Sequence, residues 1–193
     1  MTSTTLRELN GLDETPASLT NSTLVLVDYQ NTYTQGVLEL TDWEPALDVA
    51  AELLTAARES GTKIIHVIHD SGVGSPYDVT ADIGQIHPKV APIADEPIVV
   101  KSAPNAFVGT NLADLVDAAG NTNLIVIGFM THMCVTFTSE GAFLRGNTPT
   151  VVADACATRP LGQVSADQLH DSALATISDL YGIVVPTPTN LSD

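Results

Sequence analysis

The segment STLVLVDYQN, residues 22–31, sets the architecture of this chain. Its first part, 22–28, is almost entirely apolar, a composition typical of a strand that is covered on both faces of a sheet. The strand runs directly into the charged residue Asp28. A strand of this kind favours a sheet packed between helices, with Asp28 at the carboxyl end of the strand.

Strand-like and helix-like patterns alternate along the rest of the chain. In the first predicted helix the apolar residues recur at helical spacing, at Ala46, Ala50, Leu53, Leu54 and Ala57. The predicted strands are 22–28, 62–69, 97–101, 123–128, 149–154 and 183–186, and the predicted helices are 44–60, 111–119, 133–145 and 165–181. This alternation predicts an α/β fold with a single doubly wound domain, in which a six-stranded, mainly parallel sheet lies between helix layers.

The two ends of the chain depart from this pattern. Residues 1–21 are polar and lack periodicity, so we expect an N-terminal arm that is either loose or docked on a neighbouring subunit. The domain itself spans 22–187, and the polar tail 188–193 is expected to be exposed. A segment of about 25 residues that is rich in Gly, Pro and Asp follows the second strand, and loops of such length in compact domains are often functional.

Composition excludes several classes of protein. The 193 residues suit one domain, and the 23 acidic against 7 basic residues give a formal net charge of −16. Such a surface repels phosphate backbones and anionic lipids, so neither nucleic acid nor a membrane is expected as a partner. The N-terminus lacks the apolar region of a secretory signal, and two cysteines do not form a disulfide framework. These features predict a cytoplasmic location.

Polar residues gather at the predicted carboxyl ends of the strands. Parallel α/β sheets bind ligands at that edge, so these side chains should meet there. They are Asp28, His69, Asp70, Lys101, Thr131, His132, Cys134 and Asp154.

Three of these residues suggest nucleophilic catalysis. Cys134 lies at the predicted start of a helix, where the partial positive charge should lower the thiol pKa, and Lys101 should act in the same direction. Asp28 is suited to take the thiol proton and to return it to a leaving amine. Each residue also has a structural interpretation: Cys134 as a buried core thiol, Asp28 as a helix cap or turn residue, and Lys101 as a solvated surface lysine.

Several motifs resemble the isochorismatase-like cysteine hydrolase superfamily, which includes nicotinamidases and N-carbamoylsarcosine amidohydrolase. The matching segments are LVLVDYQN at 24–31, VVKSAPNAF at 99–107, GFMTHMCV at 128–135, VVADACATR at 151–159 and HDSALATI from His170. They span most of the chain. The resemblance implies the Rossmann-like three-layer fold of that superfamily and a homo-oligomer.

The resemblance also implies roles for individual residues. Cys134 would be the nucleophile, Asp28 the general acid and base, and Lys101 the supporting cation. A cis peptide bond between Phe129 and Met130 would aim the Met130 N–H inward, where it forms an oxyanion hole with the Cys134 N–H. Because the isochorismate-cleaving members need no cysteine, Cys134 favours cleavage of a C–N bond through a thioester.

Neither a metal nor an organic cofactor is predicted. Metal-dependent relatives hold their ion with an Asp-x-His pair after the first strand, whereas the corresponding stretch here, TDWEPAL at 41–47, contains no histidine. His66 and His69 lie three apart on one strand and face opposite sides, so they should not share an ion. The first strand is followed by no glycine-rich phosphate loop, which disfavours a nucleotide or flavin.

The substrate is expected to be a small molecule, and five residues are candidates to bind it. Gln30 either contacts substrate or caps a turn, and His132 lines either the site or an interface. The full candidate set is Gln30, His69, Phe107, Thr131 and His132. The hypothesis is therefore a cysteine hydrolase of an amide-type bond, with an esterase or a non-catalytic binding protein of the same fold as alternatives.

Overall fold

Six parallel strands form one sheet in the computed structural model, which describes residues 4–93 and 95–191. In spatial order the strands are β3-β2-β1-β4-β5-β6, and every neighbouring pair is parallel. The strands are β1 (Ser22–Val27), β2 (Lys63–His69), β3 (Ile98–Lys101), β4 (Asn123–Phe129), β5 (Thr148–Ala157) and β6 (Ile183–Val185). The predicted doubly wound α/β fold is confirmed.

Helices connect the strands and cover both faces of the sheet. Helix α2 ends where the sequence pattern predicts, at Gly61, whose φ of 74° is a left-handed conformation that glycine adopts without a steric penalty. Helix α5 begins with the predicted capping box between Ser165 and Gln168. The α-helices are α1 (Leu6–Leu9), α2 (Trp43–Ser60), α3 (Leu112–Ala119), α4 (Thr136–Leu144) and α5 (Ala166–Thr176).

Strand β1 lies at the centre of the hydrophobic core. Its alternate residues Leu24 and Leu26 join the cluster on the α2 side, whereas Val25 and Val27 join the cluster on the side of α3 and α4. All six residues of β1 are buried. Both faces of this strand must therefore be apolar, which explains the unbroken apolar run in the sequence.

Strand β5 is longer than predicted and is the main correction to the sequence-based boundaries. It reaches Ala157 rather than residue 154, and its register with β4 shifts between Val126 and Gly128. An irregularity of this kind inserts extra residues into one strand and bends it. Residues 155–157 thus belong to the sheet, and the carboxyl end of β5 lies at Thr158 and Arg159.

The N-terminal arm packs on its own chain, an arrangement that differs from both alternatives left open by the sequence. Arg7 is buried and donates to the carbonyl of Leu180 over 3.2 Å, and the backbone N–H of Leu6 donates to Asp179. Farther along, the Ala17 N–H donates to the Thr150 hydroxyl in β5. Residues 1–3 of the arm lie outside the described residues.

The C-terminal tail is only partly exposed, contrary to expectation. A short 3₁₀ turn covers Pro188–Asn190, and Leu191 packs against the cluster on the α2 side because its side chain is apolar. Residues 192–193 lie outside the described residues. Within the described ranges, no helix combines the length and the hydrophobicity required to cross a bilayer.

Gly128 allows β1 and β4 to approach each other closely at their carboxyl ends. An added Cβ would lie 2.1 Å from the Val27 carbonyl oxygen. We expect Gly128→Ala to lower the free energy of unfolding by about 3 kcal/mol, the upper end of the usual cost of overpacking. Chemical denaturation measures this change.

Gly120→Ala is the matched control. Gly120 also has a positive φ, 77°, but an added Cβ would meet nothing within 4 Å. This variant should lose only about 1–2 kcal/mol, the cost of a left-handed backbone for alanine. Equal losses in the two variants would show that the contact with Val27 is unimportant.

Candidate active site

Asp28, Lys101 and Cys134 meet at the point where the strand order of the sheet reverses. Asp28 directly follows β1, Lys101 is the last residue of β3, and Cys134 lies shortly after β4. In open α/β sheets the ligand crevice lies outside the carboxyl ends of the strands at this switch point. The fold thus brings together the three residues that the sequence pattern singled out as a catalytic group.

The backbone at Asp28 turns sharply out of β1. Its φ is 56°, an unusual value for a residue with a side chain, although aspartate tolerates it better than most. The Asp28 N–H still donates to the Val67 carbonyl over 2.9 Å, so the residue remains attached to β2 while its side chain points to the site.

The Lys101 ammonium is the centre of the cluster. Its Nζ lies 2.7 Å from Asp28 Oδ2 and 3.3 Å from Cys134 Sγ. Among the described residues, the Asp28 oxygens have polar partners only within this trio. The carboxylate is therefore free of backbone donors and is available for proton exchange with the thiol beside it.

The trio is removed from solvent. The side chains of Asp28 and Lys101 are 0% exposed, and Cys134 retains 5% exposure. Charges at such depth persist only when they are paired, as these are. Cys134 is thus the most exposed member of the trio.

The pKa of Cys134 shifts in the opposite direction to the sequence-based prediction. Burial and the neighbouring Asp28 carboxylate raise the thiol pKa, and the opposing effect of Lys101 is smaller. Burial also raises the Asp28 pKa, against the attraction of Lys101. The resting arrangement is therefore a thiol beside a basic carboxylate, rather than a preformed thiolate.

The turn that carries Cys134 is π-helical. Residues Thr131–Val135 form this turn, and α4 starts only at Thr136. The prediction that Cys134 lies in the first turn of an α-helix is therefore corrected. The Phe129–Met130 peptide bond is cis, as the resemblance implied. The role of the Met130 and Cys134 N–H groups as an oxyanion hole stays a prediction.

His69 is the one candidate substrate-binding residue that contacts the trio directly through a polar atom. Its Nδ1 lies 3.1 Å from Lys101 Nζ, and its ring centroid is 4.7 Å from that of Tyr77. The Tyr77 hydroxyl accepts from the Tyr33 hydroxyl. Burial raises the pKa of both tyrosines, and the negative charge of Asp28 adds a smaller effect in the same direction, so both rings lie near the trio.

The Gln30 side chain makes structural hydrogen bonds within the protein. Its side chain is fully buried, donates to the carbonyls of His69 and Gly84, and accepts from the His69 N–H. These contacts join the end of β2 to the long loop, and contact of Gln30 with a substrate stays a prediction.

Thr131 and His132 are also engaged by the protein. Thr131 is fully buried, and its hydroxyl lies 2.9 Å from Nδ1 of His170. His132 Nδ1 lies 2.6 Å from the Thr158 hydroxyl. These contacts tie the turn that carries Cys134 to neighbouring elements, and contact of either residue with a substrate stays a prediction.

Phe107 packs against the apolar cluster that includes Cys134. The guanidinium of Arg145 lies 5.3 Å from the centroid of its ring. The cation covers one face of the half-buried ring, and contact of Phe107 with a substrate stays a prediction.

Arg159 is a candidate site residue that the sequence analysis did not single out. Its Nε is buried and has no hydrogen-bond partner, and no carboxylate lies within ion-pair distance of it in the described part of the chain. Its charge contributes, after burial, to the lowered pKa of His132, so Arg159 lies near the turn that carries Cys134.

The histidines are arranged differently from a metal centre. His66 is buried with Nε2 2.9 Å from Glu96, whereas His69 faces Lys101. Within residues 4–93 and 95–191, no group of three His, Cys, Asp or Glu side chains is placed to hold an ion. The second thiol, Cys156, is buried and contacts the Val152 carbonyl, as a packed structural cysteine does.

The fold and the site define a doubly wound α/β protein with a buried Asp, Lys and Cys group at its switch point. Comparison with known proteins identifies its family. The chain belongs to the isochorismatase family, since the family description "Isochorismatase domain" matches residues 22–189. It is accordingly a hydrolase of this family.

Individual relatives cover nearly the whole chain. The secreted isochorismatase effector Isc1 of Verticillium dahliae is 31% identical over 180 residues, which are 93% of this chain and 95% of the relative. The maleamate amidohydrolase of Pseudomonas putida is 29% identical over 179 residues, 84% and 81% of the two chains. A crystal structure of an isochorismatase from Pseudomonas putida shares 36% identity, a TM-score of 0.95, and 99% and 100% coverage.

The two charged neighbours of Cys134 should shift its reactivity in opposite directions. Asp28→Asn removes the negative charge that raises the thiol pKa, whereas Lys101→Met removes the positive charge that lowers it. The midpoint of the pH profile for alkylation of Cys134 by iodoacetamide should fall in the first variant and rise in the second, each by about one unit or more.

The measurement is made in a Cys156→Ala background, with the modified residue assigned by mass spectrometry. Thermal unfolding verifies that both variants are folded, because Lys101→Met leaves the Asp28 charge unpaired. Shifts in the same direction, or no shift, would contradict the arrangement of charges described above.

Proposed function

We propose that this protein hydrolyses a C–N bond of a small amide through a thioester on Cys134. The observation that carries the proposal is the position of the Lys101 ammonium, 2.7 Å from Asp28 Oδ2 and 3.3 Å from Cys134 Sγ. This arrangement supplies a nucleophile, a base and a fixed cation within hydrogen-bonding reach of one another.

The first step is attack by sulfur on the substrate carbonyl. Since the thiol pKa is raised, the proton leaves Sγ as the C–S bond forms, and the basic Asp28 carboxylate accepts it. Lys101 remains an ammonium and stabilises the negative charge that develops on sulfur. The backbone N–H groups of Met130 and Cys134 would hold the carbonyl oxygen as it becomes an oxyanion.

The following steps return the enzyme to its starting state. Protonated Asp28 gives its proton to the leaving nitrogen as the C–N bond breaks, which leaves an acyl thioester on Cys134. Asp28 then takes a proton from water, and the resulting hydroxide attacks the thioester carbonyl. Collapse of that intermediate releases the carboxylic acid, and the sulfur recovers its proton from Asp28.

The Arg159 Nε is buried without a hydrogen-bond partner, and we take this guanidinium as the candidate to bind an anionic group of the substrate. A guanidinium binds a carboxylate in a planar, two-pronged geometry. One relative is named for maleamate, the half-amide of a dicarboxylic acid. We therefore propose as substrate class a small amide that bears a carboxylate.

A cytoplasmic location, self-association and independence of metal remain predictions. One relative is described as secreted, which leaves the location of this chain to be measured.

Activity should depend on Cys134 and only weakly on the other thiol. We expect Cys134→Ala to abolish hydrolysis of amides found in a screen of small carboxylate-bearing amides, and Asp28→Asn to lower the rate by about 10²–10⁴-fold. Cys156→Ala is the matched control and should retain most activity. Rapid quenching and mass spectrometry should detect the acyl group on Cys134.

Two results would contradict this mechanism. Turnover by Cys134→Ala within tenfold of the parent would exclude a nucleophilic thiol. Faster hydrolysis of the corresponding esters, with no measurable amide turnover, would assign the site to a C–O bond.

Arg159 should determine how tightly the anionic group is held. We expect Arg159→Met to raise the KM for a carboxylate-bearing amide by about 10–100-fold, the loss of one charge-assisted hydrogen bond, with little change for a neutral analogue. Arg145→Met removes the same charge from an exposed pair with Asp117 and serves as the control. An equal effect on both substrates would contradict an anion-binding role.

A further inference from the structure

The Lys101 ammonium has three N–H groups and three acceptors around it. Two acceptors, Asp28 Oδ2 and Cys134 Sγ, belong to the proposed mechanism. The third is His69 Nδ1, at 3.1 Å. The lysine side chain is 0% exposed, so no solvent is at hand to replace a lost partner.

We propose that His69 is a positioning residue that acts through Lys101. As a neutral imidazole it accepts the third N–H of the ammonium and keeps the other two directed at Asp28 and Cys134. The significance of this contact rests on the proposed function, whereas the contact itself can be tested without any substrate.

The sheet and the long loop hold His69 in place for this role. In the register of β2 and β3, His69 is the direct partner of Lys101, so the two side chains start from adjacent strand ends. Gln30 fixes the backbone of His69 with one bond to its N–H and one to its carbonyl, both 2.9 Å. Tyr77 packs against the ring.

The contact determines the tautomer of the imidazole. Because Nδ1 accepts from an ammonium, the ring proton must lie on Nε2, which is 3.1 Å from the Ser71 hydroxyl. Protonation of Nδ1 would place two cations face to face. Burial and the Lys101 charge lower the His69 pKa to about 4, against a smaller opposing effect of Asp70, so the ring is neutral at physiological pH.

Loss of the Nδ1 acceptor should therefore change the reactivity of Cys134, although His69 does not contact the thiol. Without the Nδ1 lone pair, one N–H of Lys101 is left without a partner, and the ammonium is no longer held between Asp28 and Cys134. The charge that favours the thiolate then acts less strongly on sulfur, and Cys134 should become less reactive.

Two amide substitutions distinguish the role of Nδ1 from that of Nε2. The oxygen of asparagine is attached to Cγ, as Nδ1 is, so His69→Asn can still accept from Lys101. His69→Gln places its amide near the position of Nε2 and, like His69→Ala, removes the acceptor at Nδ1. We expect alkylation of Cys134 at neutral pH to be roughly tenfold slower in His69→Gln and His69→Ala, with the profile midpoint raised by about one unit.

His69→Asn should stay within about threefold of the parent rate, because its side-chain oxygen replaces the Nδ1 acceptor and the hydrogen bond from Lys101 is kept. Parent-like profiles in His69→Gln and His69→Ala would overturn the proposal, and so would a His69→Asn profile as impaired as theirs. Inactivity of every form toward amides, with these alkylation differences intact, would overturn the proposed function and leave the role of His69 standing.

A measurement on the unsubstituted protein is independent of folding in the variants. Nitrogen chemical shifts of the His69 ring should show an unprotonated Nδ1 and a protonated Nε2 at neutral pH. In Lys101→Met the His69 pKa should rise toward its usual value, because the nearby positive charge is gone. A protonated Nδ1 in the parent, or an unchanged His69 pKa in Lys101→Met, would exclude the contact.

Discussion

The buried ion pair between Lys101 and Asp28 is the interaction on which the rest of this site depends. Removing both charges from water is costly, and the cost is offset only if each charge keeps a close partner and the ammonium finds acceptors for its remaining protons. Strand β3 makes this possible because its residues alternate: Ile98 and Val100 are about half exposed, whereas Val99 and Lys101 are buried. The lysine therefore points inward from an edge strand.

Much of this arrangement was predictable, because the carboxyl ends of parallel strands share one edge of the sheet. Asp28 and Lys101 each follow an apolar run, and Cys134 follows another, so their convergence required only the correct number and direction of strands. Helix α2 and its end at Gly61 were equally predictable, because the apolar periodicity and the glycine C-cap are local properties of the sequence.

Other features depended on contacts that no local pattern contains. Strand β5 ends at Ala157 and not at the predicted residue 154, because its register with β4 shifts. Arg159 therefore lies just after the end of the strand, which the sequence pattern did not show. The role of Gln30 depends on a loop about fifty residues away. The raised pKa of Cys134 reflects burial and the nearness of Asp28, which together outweigh the opposing effect of Lys101.

That raised thiol pKa has a consequence for the bond that is cleaved. A preformed thiolate would attack without giving Asp28 a proton, and an amine is a poor leaving group unless it is protonated. In the proposed mechanism the thiol proton passes to a carboxylate whose own pKa is raised, which would make Asp28 a better base for the attack and would hold the proton beside the scissile bond. An alcohol needs this assistance less than an amine does. A neutral thiol beside this carboxylate therefore favours our proposal of a C–N bond over an ester, with Lys101 holding the two groups close enough for one proton to serve both steps.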